Sequence, residues 1–235
     1  MRIIPPVSPH DFQPDLDAIA AIPAIETILK VICRTTGLRF AAVARVTPER
    51  WVCCAAQDEL AFGLTPGAEL KVESTICHEI EGHGREIAID HVAADGAWKD
   101  HHTPALYGFQ SYISVPIRRS DGSFFGTLCA IDPDPNTLNN ESVKGMFRLF
   151  SQLISHELEL NAQMQAMARE NSALRRAFDA GLGHDMKNTL AAMEAGTRLL
   201  SRTPLNDRAK LIVAEMEASA RRLSQQISEA MAPPS

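Results

Sequence analysis

An α+β fold is predicted from three observations. Short β-like runs and helices are mixed over the first ~135 residues, two pairs of apolar runs flank hairpin-type turns, and only helical periodicity follows residue ~138. The expected order is an antiparallel sheet with flanking helices, then a coiled-coil helix, then a helical hairpin that forms a four-helix bundle in a dimer. The corresponding boundaries are an N-terminal tail at 1–14, the sheet domain at 15–138, the coiled coil at 139–180, the hairpin at 181–231 and a C-terminal tail at 232–235.

Each element has a local reason. Leu16 to Thr35 reads as an amphipathic helix. Phe40 to Val46 and Trp51 to Ala56 flank the polar turn Thr47-Pro48-Glu49-Arg50, which is a hairpin pattern. Ser74 is placed to cap a helix over Thr75 to Glu81, Glu86 to Asp90 is a third strand, and Trp98 to Tyr107 is a short helix or a structured loop. Ser111 to Ile117 and Phe124 to Ile131 surround Arg119-Ser120-Asp121-Gly122, where Asp-Gly between apolar runs marks a second hairpin. Five strands of one antiparallel sheet follow from this pattern.

Beyond Phe150, alternate steps of three and four land on Leu153, Glu157, Leu160, Met164, Met167, Asn171, Leu174 and Phe178. That is a heptad seam, and the buried amide expected at Asn171 favours a fixed register and two strands. Past Phe178 the stripe steps by four through Leu182 and Met186, as in a stutter. Thr203-Pro204-Leu205-Asn206-Asp207 breaks the helix, and a second one carries Leu211, Ile212, Met216, Ala220, Leu223, Ile227 and Met231 on one face. Two such helices leave apolar faces that a second copy of the chain would cover, so a homodimer is expected.

Composition narrows the function. A hydrophobic fraction of 45%, charged residues at 22% and a net charge of −6 over 235 residues describe a folded chain without the basic footprint of a nucleic-acid or anionic-membrane binder. No apolar run approaches ~20 residues, and the start Met1-Arg2-Ile3-Ile4-Pro5-Pro6 is short and Pro-broken for a signal peptide, so a cytoplasmic location is expected. The five cysteines, Cys33, Cys53, Cys54, Cys77 and Cys129, are odd in number, lack a CxxC pair and sit in apolar segments, which reads as buried thiols.

One segment carries chemistry in its spacing. Gly183-His184-Asp185-Met186-Lys187-Asn188 places His184 and Asn188 one turn apart on a helix, with Asp185 beside the imidazole. A neutral imidazole is a nucleophile toward phosphorus, and a carboxylate can hold its tautomer. A solvated helix face is the plain alternative for the same residues. His78, His83, His91, His101 and His102 lack metal-site spacing and read as loop or pocket-lining residues.

His184-Asp185-x-x-Asn188 resembles the signature of the dimerisation and histidine-phosphotransfer region of two-component sensor kinases, over roughly Ala162 to Met231. The resemblance implies His184 as phosphoacceptor, Asp185 as its acid/base partner and Asn188 as the residue orienting water for dephosphorylation. Thr189 departs from it, since the family often has Pro there. Such kinases continue into an ATP-binding domain, and no Gly-x-x-x-x-Gly-Lys-Ser/Thr loop occurs in this sequence, so phosphate is expected to come from a partner histidine kinase or a response-regulator receiver domain. Two alternatives stand beside this, a non-phosphorylated ligand-binding dimeric scaffold and an N-terminal fragment of a full histidine kinase.

Phe109 to Ile117 and Phe124 to Asp132 resemble the strands of a GAF domain, over about Asp15 to Leu158. This implies a central antiparallel sheet with a pocket for a small-molecule ligand on one face. Cys77-His78 lies ahead of the third strand rather than just before the Tyr112 strand, where a bilin-anchoring pair is expected, and no cyclic-nucleotide signature is present. Together the resemblances imply a cytoplasmic two-component protein in which a GAF sensor is coupled to a phosphoacceptor hairpin.

Overall fold

The computed structural model describes residues 3–6 and 10–230, with the side chains of residues 83, 178–185 and 227–230 outside the described set. The chain divides into two units, 1–164 and 165–235. Among the described residues, no helix is long and apolar enough to cross a membrane.

The first unit is built on a six-stranded sheet. Its strands are β1 (Phe40–Val46), β2 (Trp51–Asp58), β3 (Glu69–Leu70), β4 (Ile87–Ile89), β5 (Ser111–Arg118) and β6 (Phe124–Asp132), in the order β3-β2-β1-β6-β5-β4. All neighbours are antiparallel. Both expected hairpins are present. In the first, the Thr47 amide donates to the Arg50 carbonyl at 2.9 Å, and the Arg50 amide donates back to Thr47 Oγ1 at 3.0 Å. The sixth strand, β3, pairs Leu70 with Trp51 and Glu69 with Val52 and is bridged on its other side by Ile4, and two residues are too few to show a period of two.

The helices are α1 (Gln13–Ala20), α2 (Ile25–Thr36), α3 (Ile76–His83), α4 (His102–Tyr107), α5 (Glu141–Ser201) and α6 (Asp207–Ala230). The single helix expected over Leu16 to Thr35 is two, because Pro23 has no amide hydrogen and disfavours helical geometry at Ile22. The cap expected at Ser74 is also corrected. The α3 helix begins at Ile76, and the Ser74 hydroxyl instead donates to the Lys71 carbonyl and lies 2.6 Å from the Tyr107 hydroxyl. The Trp98–Tyr107 segment closes with α4, whose Thr103 amide is accepted by His101 Nδ1 at 3.2 Å.

The central strands are buried on both sides. Residues alternate faces along a strand, so Ala41 and Val43 of β1 join one core and Phe40, Ala42 and Ala44 the other. On the first face lie α1, α2 and the opening turns of α5, with Ile19, Leu29, Ile32, Phe125, Phe147 and Ile154 essentially inaccessible. The second face packs against α3 and a loop-rich layer through Trp51, Ile76, Cys77, Tyr112 and Cys129. Arg39 ties the sheet's end together, donating to both Asp132 carboxylate oxygens at 2.6 and 2.9 Å.

The second unit is a helical hairpin. Asn206 Oδ1 accepts the Ala209 amide at 2.9 Å, which caps α6 where Pro204 has ended α5. Leu190, Thr197, Val213 and Ala220 are buried within the hairpin, whereas Leu199, Leu200, Leu211, Ile212, Met216 and Leu223 remain exposed. One chain therefore covers part of the apolar surface of these two helices and leaves the rest bare.

Gly126 is the tightest point of the sheet. A Cβ there would sit 1.9 Å from the Ala44 carbonyl oxygen, a backbone atom held by the β1–β6 ladder. Gly126→Ala is expected to destabilise the first unit by about 3 kcal/mol, read by urea unfolding with Trp51 and Trp98 fluorescence. A loss below about 0.5 kcal/mol, the scale of a neutral surface change, would show that β1 and β6 yield there.

Candidate functional site

The residues singled out for phosphoryl chemistry all fall in α5. The side chains of His184 and Asp185 lie outside the described residues, while Asn188 is exposed one turn on from His184.

A second site is assembled on the sheet face covered by α3. Phe40 and Ile131 supply one wall, Trp51 and Leu70 a second, Tyr112 and Cys129 the floor, and Thr75, Ile76 and Cys77 the helical side, around a small cavity of about 50 Å³. Phe62 closes it between Phe40 and Tyr107, with ring centroids 5.3 and 5.9 Å away. The bond between Tyr107 and Ser74 holds α4 against the turn preceding α3. The lining is apolar, and at about 50 Å³ the cavity is far smaller than the roughly 300–1,000 Å³ of drug-sized ligand pockets.

The floor carries an unusual sulfur environment. Thr127 Oγ1 donates to Cys77 Sγ at 3.3 Å, the Tyr112 hydroxyl lies 3.5 Å from it, and Cys129 lines the same cavity. The indole N–H of Trp51, which lines the same cavity, is buried without a hydrogen-bond partner. Donation from Cys129 lowers the Cys77 pKa below the ordinary thiol value, burial opposes this, and Thr127, Tyr112 and Trp51 add to the lowering. Cys129 is held high as the donor of that pair, and burial followed by the Cys77 charge raises Tyr112. Elsewhere burial dominates and pushes Cys33 to about 11 and Cys54 to about 12.

The five cysteines are free and buried, as their apolar surroundings suggest. The histidines expected in loops or along the pocket are placed otherwise for His78 and His83, which lie in α3, and His78 Nδ1 is buried without a hydrogen bond, while His101 and His102 have structural partners. His101 Nε2 lies 2.8 Å from Glu79 Oε1 and His102 Nε2 3.0 Å from the Glu73 carbonyl, which pins the start of α4 to the α3 region. Among the described residues, no group of three or more His, Cys, Asp or Glu converges as a metal site. What sequence reading missed is the meeting of Cys77 with Cys129, 52 positions away. The period-two pattern does place Thr127, Cys129 and Ile131 on one face of β6, but nothing local says that α3 lies over them.

A six-stranded antiparallel sheet covered by α1, α2 and the start of α5 on one face, and by α3 with loops around a small pocket on the other, defines an α+β domain. The GAF domain family model matches residues 21–158, more than half of the chain, and the chain belongs to that family. The fold is shared with the blue-light-absorbing form of the PixJ GAF domain from Thermosynechococcus elongatus, at 15% identity and a TM-score of 0.50 over 68% of this chain and 94% of that one. It is shared likewise with the red-light-absorbing state of NpR6012g4, a red/green cyanobacteriochrome, at 18% identity and a TM-score of 0.50 over 64% and 98%. A curated relative, the diguanylate cyclase DgcP of Escherichia coli (strain K12), is 31% identical over 77 residues, which is 33% of this chain and 22% of that protein. The chain thus matches about a fifth of that relative's length.

The cavity's size is set by Phe62. Phe62→Ala is expected to cost about 2 kcal/mol, because the ring is half-buried, and to open room for a small aromatic guest. Added indole should then raise the unfolding midpoint of the variant more than that of the wild type. Equal shifts in both proteins would place the cavity elsewhere.

Proposed function

We propose that this protein is a cytoplasmic, homodimeric two-component signalling protein, in which the GAF domain binds a small molecule and a helical hairpin carries a phosphoacceptor histidine. The reading rests on one observation above the rest. The helix that packs on the GAF sheet through Phe147, Ile154 and Leu158 continues without interruption to the segment bearing His184, Asp185 and Asn188.

The roles follow from residue chemistry. The His184 imidazole accepts phosphate, Asp185 holds the tautomer and stabilises the cation formed in transfer, and Asn188 orients the water that removes the phosphate. Phosphate is exchanged with a receiver domain or a partner histidine kinase. The relation to a diguanylate cyclase over 77 residues is compatible with a sensor region that serves different outputs in different proteins. Support for the dimer comes from the exposed row Leu153, Leu160, Met164, Met167 and Leu174 on α5. These are the apolar positions of the heptad seam, and single chains seldom leave such a row in water.

The test is transfer of radiolabelled phosphate from a receiver domain or a histidine kinase to the full chain. Wild type is expected to gain an acid-labile label, His184→Gln to gain none while keeping its oligomeric state, and Asn188→Ala to hold the label longer. Labelling of His184→Gln at the wild-type level would remove the phosphoacceptor role and leave a ligand-binding scaffold.

A further inference from the structure

Two sulfur atoms meet at the pocket floor, and the phosphotransfer reading makes no use of them. Cys77 comes from α3 and Cys129 from β6, and both line the same small cavity, where Cys77 Sγ accepts from Thr127, two residues before Cys129 on the same face of β6. Sequence separation and opposite elements make this a tertiary arrangement. Cys53, also on this face, sits on β2, and its partner Ala44 on β1 is paired in turn with Thr127. At two strand spacings, roughly 10 Å, Cys53 is remote from β6.

We propose that Cys77 and Cys129 form a peroxide-reactive pair that closes to an intrachain disulfide and so makes this domain responsive to oxidants of the hydroperoxide class. The thiolate is the reactive form of cysteine, and the Thr127 hydroxyl that donates to Cys77 Sγ and the Tyr112 hydroxyl 3.5 Å from it are groups that stabilise a negative sulfur. Cys77 and Cys129 are 3% and 5% exposed, which shields them from large reagents. The cavity of about 50 Å³ beside them has room for a molecule little larger than water.

The chemistry balances on the two sulfurs and one peroxide. The Cys77 thiolate attacks one peroxide oxygen and the O–O bond breaks. Cys77 becomes a sulfenic acid, and the departing hydroxide takes the proton of Cys129 to give water. The Cys129 thiolate then attacks the Cys77 sulfur, forming the S–S bond and expelling hydroxide, which solvent neutralises. Two electrons pass from the pair of sulfurs to the peroxide. A disulfide requires the two sulfurs to come closer than any non-bonded contact, so oxidation would draw α3 toward β6. Thr75 and Ile76 line the same cavity, and closure would therefore alter its shape.

The experiment uses the reduced full chain and hydrogen peroxide. After a brief exposure the protein is denatured, free thiols are alkylated, and the peptides are mapped without reduction. The expected product is a cross-linked pair of peptides containing Cys77 and Cys129, formed about tenfold or more faster than any oxidation of Cys33 or Cys54, whose thiols stay protonated. Cys129→Ser should stop at a Cys77 sulfenic acid that dimedone captures, and Cys33→Ser should behave as wild type. Oxidation of all five cysteines at one rate, a link between Cys53 and Cys77, or no oxidation of Cys77 would each overturn the proposal. Because wild type alone gives the decisive map, the result does not depend on any variant folding, nor on whether His184 carries phosphate.

Discussion

The constraint on which the rest of this structure depends is that β1 and β6 are buried on both faces. A strand so placed leaves no side for water, so both surfaces of the sheet must be covered, and the chain supplies two different covers. On one face α1, α2 and the start of α5 bring large aliphatic and aromatic side chains, with Phe125 and Phe147 fully enclosed. Each such side chain contributes about 1.5–3 kcal/mol relative to exposure. On the other face the cover is a short helix and loops, which pack less completely and leave the small cavity. The site is thus a consequence of covering the second face with irregular structure.

Two-sided burial also displaces charge to the strand ends. Arg39 is satisfied by Asp132 and Asp134 at one end of β6, and Arg45 by Asp15 and the Phe125 and Val46 carbonyls near the other. Arg50 bridges Glu69 and Asp11, and His10 joins the same group through Glu69, which fastens the segment before α1 to the sheet edge. Hydrogen bonding from Arg50 lowers the Glu69 pKa against the effect of burial, so the carboxylate stays charged where it is needed.

The sheet was readable because its strands obey rules that act within a few residues. Thr47 to Arg50 and Arg119 to Gly122 announce turns by composition, and the runs around them have strand length. Where the prediction slipped, tertiary context or one residue decided. Pro23 splits a helix that the apolar pattern alone would carry through, Ser74 turns to Tyr107 rather than capping α3, and β3 forms where Trp51 and Val52 on one side and Ile4 on the other offer backbone partners. The pocket's apolar side chains could be guessed from the resemblance, but the sulfur pair could not. Its two members are joined by packing of α3 on β6, which no local period encodes. Conversely, the His184 segment was read from a motif alone, and its side-chain geometry at His184 and Asp185 lies outside the described residues.

Helix α5 carries two apolar stripes. Phe147, Ile154 and Leu158 face the sheet, while Leu153, Leu160, Met164, Met167 and Leu174 stay exposed, and adjacent residues such as Leu153 and Ile154 point about 100° apart. The first stripe fixes the helix to the sensor domain, and the second is the surface on which the proposed dimer would form. The most direct measurement of this account is the solution mass of the full chain by light scattering, with and without Asp at positions 160, 167 and 174. The account predicts twice the chain mass for wild type and a folded monomer for Leu160→Asp/Met167→Asp/Leu174→Asp, since three unpaired carboxylates cannot be buried in a seam. A monomeric wild type, or a triple variant that keeps the dimer mass, would contradict it.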